Sequence, residues 1–332
     1  MMVSDHRKSL KTERNEMKHI SEFTEGEHIR EIFLCKGVSH AVTKNGKEYL
    51  NVQLMDRTGS VEGKIWDPND AGIDDFDKQD YVEVTADVNV WNNAKQLNIK
   101  RIRVAREGEY DPSEYLPMSP RNIDEMYQEL MGFIESVKDQ YYNTLLKKFF
   151  VEDKELVKKF RSCSAAKTVH HGFVGGLMQH TLGVAGVCDY LSKTYPVLNR
   201  DLLVTAALCH DIAKTKEFTP FPENDYSDDG QLLGHIVMGS EMVAIAASQI
   251  DGFPHTHLTQ LQHCILAHHG KYEFGSPKIP ELIEAMALNL ADEMDSKIEI
   301  FTEMFENTPD KKGQWLGAKR FLNDANVRST IM

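Results

Sequence analysis

Two hydrophobic periods divide the chain. Over residues 28–106 apolar side chains fall at every second position. Leu50, Val52 and Leu54 alternate with Asn51 and Gln53, and Val82, Val84, Ala86, Val88 and Val90 alternate with Glu83, Thr85, Asp87 and Asn89. A period of two marks strands with one buried face. Strands are predicted over 29–43, 48–56, 60–66, 81–91 and 96–105. Asn45-Gly46, within Lys44–Lys47, supplies the positive φ angles of a hairpin turn. Arg57-Thr58-Gly59 and Trp91-Asn92-Asn93-Ala94 make two further turns. From residue 121 onward the period changes to 3.6, as in Ile123, Met126, Tyr127, Leu130, Phe133, Ile134 and Val137. Helices follow at about 141–160, 176–194, 199–214, 231–250, 257–269 and 279–304. Pro196, Pro220, Pro222 and Pro254 fall between them, where helices stop.

The predicted architecture is therefore a multidomain α and β protein. A five-stranded β-barrel of the OB type, with an irregular connector (67–80) before its fourth strand, precedes an all-α domain. The expected boundaries are a polar N-terminal extension (1–24), the barrel (25–108), a linker with three prolines (109–122), the helical domain (123–310) and a C-terminal tail (311–332). No second β region and no internal repeat is expected. Met17 is an alternative start.

No apolar run approaches the roughly 20 residues that span a bilayer, and the first residues lack the apolar core of a secretory signal. The five cysteines form no CxxC pair, and most lie among apolar neighbours. This predicts reduced thiols and a cytoplasmic protein. The formal net charge of −13 disfavours a general nucleic-acid binder, but the charge is uneven. Residues 28–110 hold 12 Lys+Arg against 14 Asp+Glu, whereas residues 111–332 hold 21 against 31. Bound divalent metals would offset part of that acidity.

The chemistry concentrates in five apolar, helix-patterned strings: QHTLGV, LCHDIAK, LLGHIVMG, LAHHG and LADEMD. A lone buried His is usually a satisfied core residue. Five such strings in the order H…HD…H…HH…D point instead to a metal centre. His180, His210, Asp211 and Asp292 can supply two nitrogens and two oxygens to one metal. His235 with His268 and His269 can supply a second, with Asp211 bridging both; which of the adjacent pair ligates directly stays open. Imidazole and carboxylate suit manganese, iron, cobalt, nickel or zinc better than magnesium. Two metals about 3.5–4 Å apart suit phosphoryl chemistry. Lys214, four residues after His210, is placed one helical turn along the same face, where it can contact phosphate. His170 and His171, ahead of the GFVGGL turn, could stand behind the ligands. His6, His19, His28 and His40 are read as surface residues, and His255, His257 and His263 as structural or solvated.

Residues 95–106 (KQLNIKRIRVAR) carry Lys95, Lys100, Arg101, Arg103 and Arg106 with no acid. A basic strand can track the phosphates of a single strand. Trp91, Trp66, Tyr49 and Phe33 are candidate stacking platforms. Phe33 and Trp66 are assigned to the barrel core and Trp91 to an exposed turn.

The H…HD…D skeleton resembles the HD-domain phosphohydrolases. HHGFVGGLMQHTLGV, ALCHDIAK, HIVMG, ILAHHG and ADEMDS, preceded by NGKEYLNVQLMDRTGSVEGKIWD, resemble the YhaM-type bacterial 3′-5′ exoribonucleases over roughly residues 25–310. The resemblance implies an OB-fold domain ahead of an HD domain, a divalent metal (often manganese), and removal of nucleotides from the 3′ end of single-stranded RNA or DNA. It assigns the ligands as above and admits a homo-oligomer. Two alternatives stand beside it: an HD-type nucleotidase or phosphodiesterase acting on small nucleotides, and a non-catalytic nucleic-acid-binding module.

Overall fold

The computed structural model of the chain describes residues 17–43, 45–91, 94–167, 171–306, 313–319, 322 and 324–329. The chain divides into two compact units between Leu116 and Pro117, inside the proline-bearing stretch.

In the first unit β1 (His28–Val42), β2 (Glu48–Asp56), β3 (Gly59–Ile65), β4 (Tyr81–Trp91) and β5 (Ala94–Val104) close into a barrel in the order β1-β2-β3-β5-β4. Closure rests on a short parallel pairing of β3 with β5, from Glu62↔Gln96 to Lys64↔Asn98, and on β4 returning to β1 at Phe33↔Val82. The alternation read from the sequence sends Phe33, Leu54, Ile65, Val84 and Leu97 into the interior.

Trp66 departs from its expected core position and is 43% exposed. Val61, Gly63 and Ile65 set the inward parity of β3, so the next residue points out. Tyr49 points out by the same rule beside inward Leu50. The Leu50↔Ile65 pairing then brings the Tyr49 and Trp66 rings to 5.0 Å between centroids. The expected boundary of the polar extension also needs correction over its last residues. Ile20 and Phe23 are buried against the barrel core, and the Ile20 amide donates to buried Asp56 at 2.6 Å.

The second unit contains α1 (Ile123–Ser136), α2 (Gln140–Lys147), α3 (Lys154–Ser162), α4 (Gly176–Thr194), α5 (Arg200–Cys209), α6 (Lys214–Glu217), α7 (Asp228–Leu232), α8 (Gly234–Ser248), α9 (His255–Ala267) and α10 (Ile283–Glu306). Asn122, Asp139, Asp153 and Asn199 each cap a helix by accepting first-turn amides. Leu130, Ile134, Tyr142, Phe150, Leu203 and Leu288 belong to one continuous core.

Three predicted helices are each two pieces. The 141–160 stretch breaks at a π turn (Lys148–Glu152) and restarts at the Asp153 cap. The 199–214 stretch ends at Cys209, and a turn separates α5 from α6. The 231–250 stretch begins anew at Gly234. A second β region, not expected from sequence, is present: β6 (Trp315–Lys319) and β7 (Ala325–Arg328) form a hairpin, and Val327 and Leu322 pack on Ile300 and Met304 of α10. Among the described residues no helix is long and apolar enough to cross a membrane, and the five cysteines are free.

Candidate metal centre

Five neighbourhoods of the helical unit meet around Asp211. α4 carries His180. α5 stops at Cys209, and the following turn presents His210 and Asp211 together, with His210 Nε2 3.3 Å from Asp211 Oδ2. The first turn of α8 carries His235, the end of α9 leads into His268 and His269, and α10 carries Asp292. His180, His210 and Asp292 place their ligand atoms within 4.8 Å of one another, as do His235, His268 and His269. Asp211 stands between the two groups. Its Oδ2 lies 3.5 Å from His180 Nε2, while its Oδ1 lies 3.3 Å from His235 Nε2 and 3.7 Å from His268 Nε2.

The outer nitrogens fix the proton positions. His180 Nδ1 lies 2.7 Å from Asp295 Oδ2, His210 Nδ1 2.8 Å from the Ala207 carbonyl, and His235 Nδ1 2.9 Å from Glu217 Oε1. His268 Nδ1 lies 2.6 Å from the Ile265 carbonyl and His269 Nδ1 3.0 Å from the Phe274 carbonyl. Each partner can only accept, so each Nδ1 carries a proton, and Nε2 is the atom that offers an electron pair when the ring is neutral. Metal-ligating histidines are typically oriented this way.

That assignment tests whether a cation fits. Asp211 Oδ1, His235 Nε2 and His268 Nε2 are buried and make no hydrogen bond. They are three acceptors facing one another. Buried acceptors without donors cost roughly 1–3 kcal/mol each, and a cation among them turns that repulsion into attraction. The donor set of imidazole nitrogens and carboxylate oxygens fits a divalent transition ion.

The ionisation balance agrees. Burial pushes the His268 imidazole well down, helped by His269 and His210, and keeps it neutral. Burial likewise lowers His269. At Asp211 burial favours the neutral acid, but Lys214 and the histidines overcome it and hold the group well below the usual carboxylate range. At His180 burial opposes charge, yet the hydrogen bonds to Asp292 and Asp295 lift it to about 10. Without a cation, His180 therefore holds a second proton at neutral pH, directed at Asp292 Oδ1, 3.1 Å away. A cation taking Nε2 must expel it. Apparent cation affinity should rise with pH below about 10, by up to about tenfold per unit for one proton. Calorimetric titration with Mn²⁺ in buffers of different ionisation enthalpy should show that release; heats independent of the buffer would refute it.

Lys214 does not sit one turn along the same helix as His210. It opens α6 after the turn, its ammonium 2.7 Å from Asp211 Oδ2. His171 is buried, its ring 5.4 Å from that of His180, with Nε2 3.9 Å from Asp295 and 3.8 Å from Glu299. It thus faces the carboxylates behind His180, not the two ligand groups. His170 lies outside the described residues. His257 pairs with Asp139 at 3.0 Å, and His263 accepts the Glu281 amide at 2.9 Å, both structural tasks.

Sequence reading missed Asp295, Glu217 and Asn289, which anchor His180, His235 and the His268 carbonyl. Asp295 had a signal, since it follows Asp292 by three residues and so lies one helical turn along. Glu217 and Asn289 had none.

On the barrel, the basic strand is engaged with partners. Lys100 pairs with Asp87 at 2.5 Å. Arg103 pairs with Glu83 and Glu109 at 2.8 Å. Lys95 donates to the Ile20 and Ser21 carbonyls. Arg101 has no carboxylate at ion-pair distance among the described residues. Trp91 is 68% exposed. Lys64 lies 5.0 Å and 5.8 Å from the centroids of the Tyr49 and Trp66 rings.

Comparison with known proteins agrees with both units. The HD domain family matches residues 177–297, and the OB-fold nucleic acid binding domain family matches residues 33–105. The chain is 32% identical over 292 residues to 3′-5′ exoribonuclease YhaM of Geobacillus sp. (strain WCH70), covering 87% of this chain and 88% of that one. It is 32% identical over 293 residues to the protein of that name from Bacillus subtilis (strain 168), covering 87% and 91%. With Listeria welshimeri the figures are 30% over 292 residues, 88% and 92%. An OB-type barrel, an HD-type cluster around Asp211 and identity at this level across most of both chains converge on one conclusion: the chain belongs to the family of 3′-5′ exoribonuclease YhaM.

Proposed function

We propose that the protein is a metal-dependent exonuclease that shortens single-stranded RNA, and single-stranded DNA as a second substrate, from the 3′ end and releases nucleoside 5′-monophosphates. The observation that carries this reading is Asp211, whose two oxygens each face a separate group of imidazole nitrogens. Such a bridging carboxylate suits two cations, manganese first and cobalt, iron, nickel, zinc or magnesium after it. Bound there, divalent ions polarise a phosphodiester and lower the pKa of a water.

His180, His210 and Asp292 would hold one ion and His235, His268 and His269 the other, with Asp211 shared. Asp295 and Glu217 keep their imidazoles in the ligating tautomer. Lys214, largely buried and charged, sets a positive group at the edge of the centre, where it can steady phosphoryl oxygens. In the reaction, water adds to phosphorus and the bond to the 3′-oxygen of the penultimate nucleotide breaks. The shortened strand keeps a 3′-hydroxyl. The barrel would hold the strand through Trp91 and the Tyr49–Trp66 pair. Lys95, Lys100, Arg101 and Arg103 contribute as far as phosphate displaces their partners; exposed ion pairs are worth only about 0–1 kcal/mol, so exchange is cheap.

The test is 5′-labelled single-stranded RNA and DNA incubated with the protein and Mn²⁺, with and without a chelator. A chelator-sensitive ladder shortening from the 3′ end is expected. Hydrolysis of mononucleotides alone would favour the nucleotidase reading, and binding without cleavage the non-catalytic one.

A further inference from the structure

Beyond α9 the chain makes a short turn, Tyr272–Phe274, that the reading so far leaves without a task. It displays two aromatic rings in three residues, Tyr272 65% and Phe274 60% exposed. Among the described residues neither ring meets another aromatic ring. Scattered exposed apolar residues are ordinary. These two differ because the turn that carries them is fastened at every side.

Gly270 takes a φ of +76°, and a Cβ there would lie 2.6 Å from the side-chain amide of Asn289, so the backbone passes flush against α10. Asn289 Nδ2 donates to the His268 carbonyl at 2.7 Å. Buried Ser276 closes the far end, its Oγ 3.0 Å from the Leu266 carbonyl and its amide donating to the Lys271 carbonyl at 3.2 Å. The Phe274 carbonyl itself accepts the Nδ1 proton of His269 at 3.0 Å. That imidazole also belongs to the group formed with His235 and His268. The peptide carrying Phe274 is therefore one imidazole away from the candidate ligands. Lys271 holds its ammonium 5.3 Å from the centre of the Phe274 ring. Leu232 (82% exposed) and Leu233 (52%) display further apolar surface just before His235.

We infer that Tyr272 and Phe274 form a stacking platform for the base of the 3′-terminal nucleotide while its phosphodiester lies at the metal centre. The inference rests on the exonuclease reading above and adds the subsite that receives the end of the strand. Stacking suits the task. Every base presents a π face, so an aromatic surface accepts all four in turn, whereas hydrogen-bond readout would favour one. A turn fixed by backbone contacts offers the rings with little ordering cost.

The experiment uses the full chain with Mn²⁺ and three substrates: a 5′-labelled single-stranded RNA, the same RNA abasic at its 3′-terminal nucleotide, and a dinucleotide abasic at both positions, a diester with no base and no aromatic ring. Removing the terminal base should lower wild-type kcat/KM about tenfold or more, the size of one lost stack. Y272A/F274A should lose a similar factor on ordinary RNA and nothing further on the abasic RNA. Its hydrolysis of the baseless diester and its bound metal should stay at wild-type levels, and Y272F/F274W should restore RNA cleavage. Full RNA activity in the alanine variant overturns the platform. So does an equal loss on the baseless diester, or an undiminished penalty for the missing base. A wild-type protein that takes up Mn²⁺ yet leaves RNA intact defeats the exonuclease reading itself, and the platform with it.

Discussion

Asp211→Ala is expected to lower kcat/KM on single-stranded RNA by at least about 10³-fold, some 4 kcal/mol of transition-state stabilisation, and to remove most of the bound metal. Asp211 reaches both ligand groups, with Oδ2 toward His180 and His210 and Oδ1 toward His235 and His268. The Ala variant also strands the Lys214 ammonium, which sits 2.7 Å from the same carboxylate, and breaking a buried pair on one side is destabilising. Asp211→Asn separates the two effects. It keeps shape and packing, and its amide can donate to an imidazole electron pair, which relieves the facing acceptors. The Asn variant should fold and melt like the metal-free wild type while lacking turnover. Metal content by elemental analysis, thermal melting and RNA cleavage check the three statements. Cleavage near the wild-type rate by a folded Asp211→Asn protein would remove the bridging role.

The sequence made the two units legible because each repeats one period over many residues. Alternation along β2 and β4 places the barrel strands within two residues of where they lie, and the helical stripes locate the second unit. The ligands were legible because imidazole and carboxylate are unusual inside apolar stripes. What stayed hidden depends on local breaks and on distant partners. Nothing between Leu202 and Lys214 announces that the helix ends at Cys209, yet that turn aims His210 and Asp211 at a common point. The stretch 141–160 reads as one helix, whereas the structure breaks it at a π turn that buries Phe149 and Phe150. Trp66 differs in kind: the parity of Val61 and Ile65 turns it outward, whereas aromatic bulk alone points to the core. The charges of β5 looked free because their partners, Glu83 and Asp87, lie on the neighbouring strand, and a linear count of basic residues cannot pair strands. Asp295 and Glu217 act by orienting histidines far away in the chain, a relation without a sequence period.

Gly183→Ala is expected to weaken cation binding about 10–100-fold, the cost of losing a group that orients a ligating imidazole, and to lower RNA cleavage with it. Propensity alone says the opposite. Gly183 lies inside α4, where Ala is favoured over Gly by about 1 kcal/mol, so the substitution should help the helix. The neighbourhood decides otherwise. A Cβ at 183 would lie 2.0 Å from Asp295 Oδ1 and 2.9 Å from its Cγ, and the other oxygen of that carboxylate takes the His180 Nδ1 proton at 2.7 Å. The Asp295 side chain can swing aside, so the fold survives, but His180 then loses the partner that holds its Nε2 electron pair toward the centre. Asp295→Asn should reproduce the effect. The double variant should be no worse than the more severe single, because both act through one contact and energies through a shared contact do not add. Mn²⁺ titration of the three variants beside thermal melting reads the outcome. Wild-type affinity in Gly183→Ala, or losses that multiply in the double variant, would mean that Asp295 does not position His180.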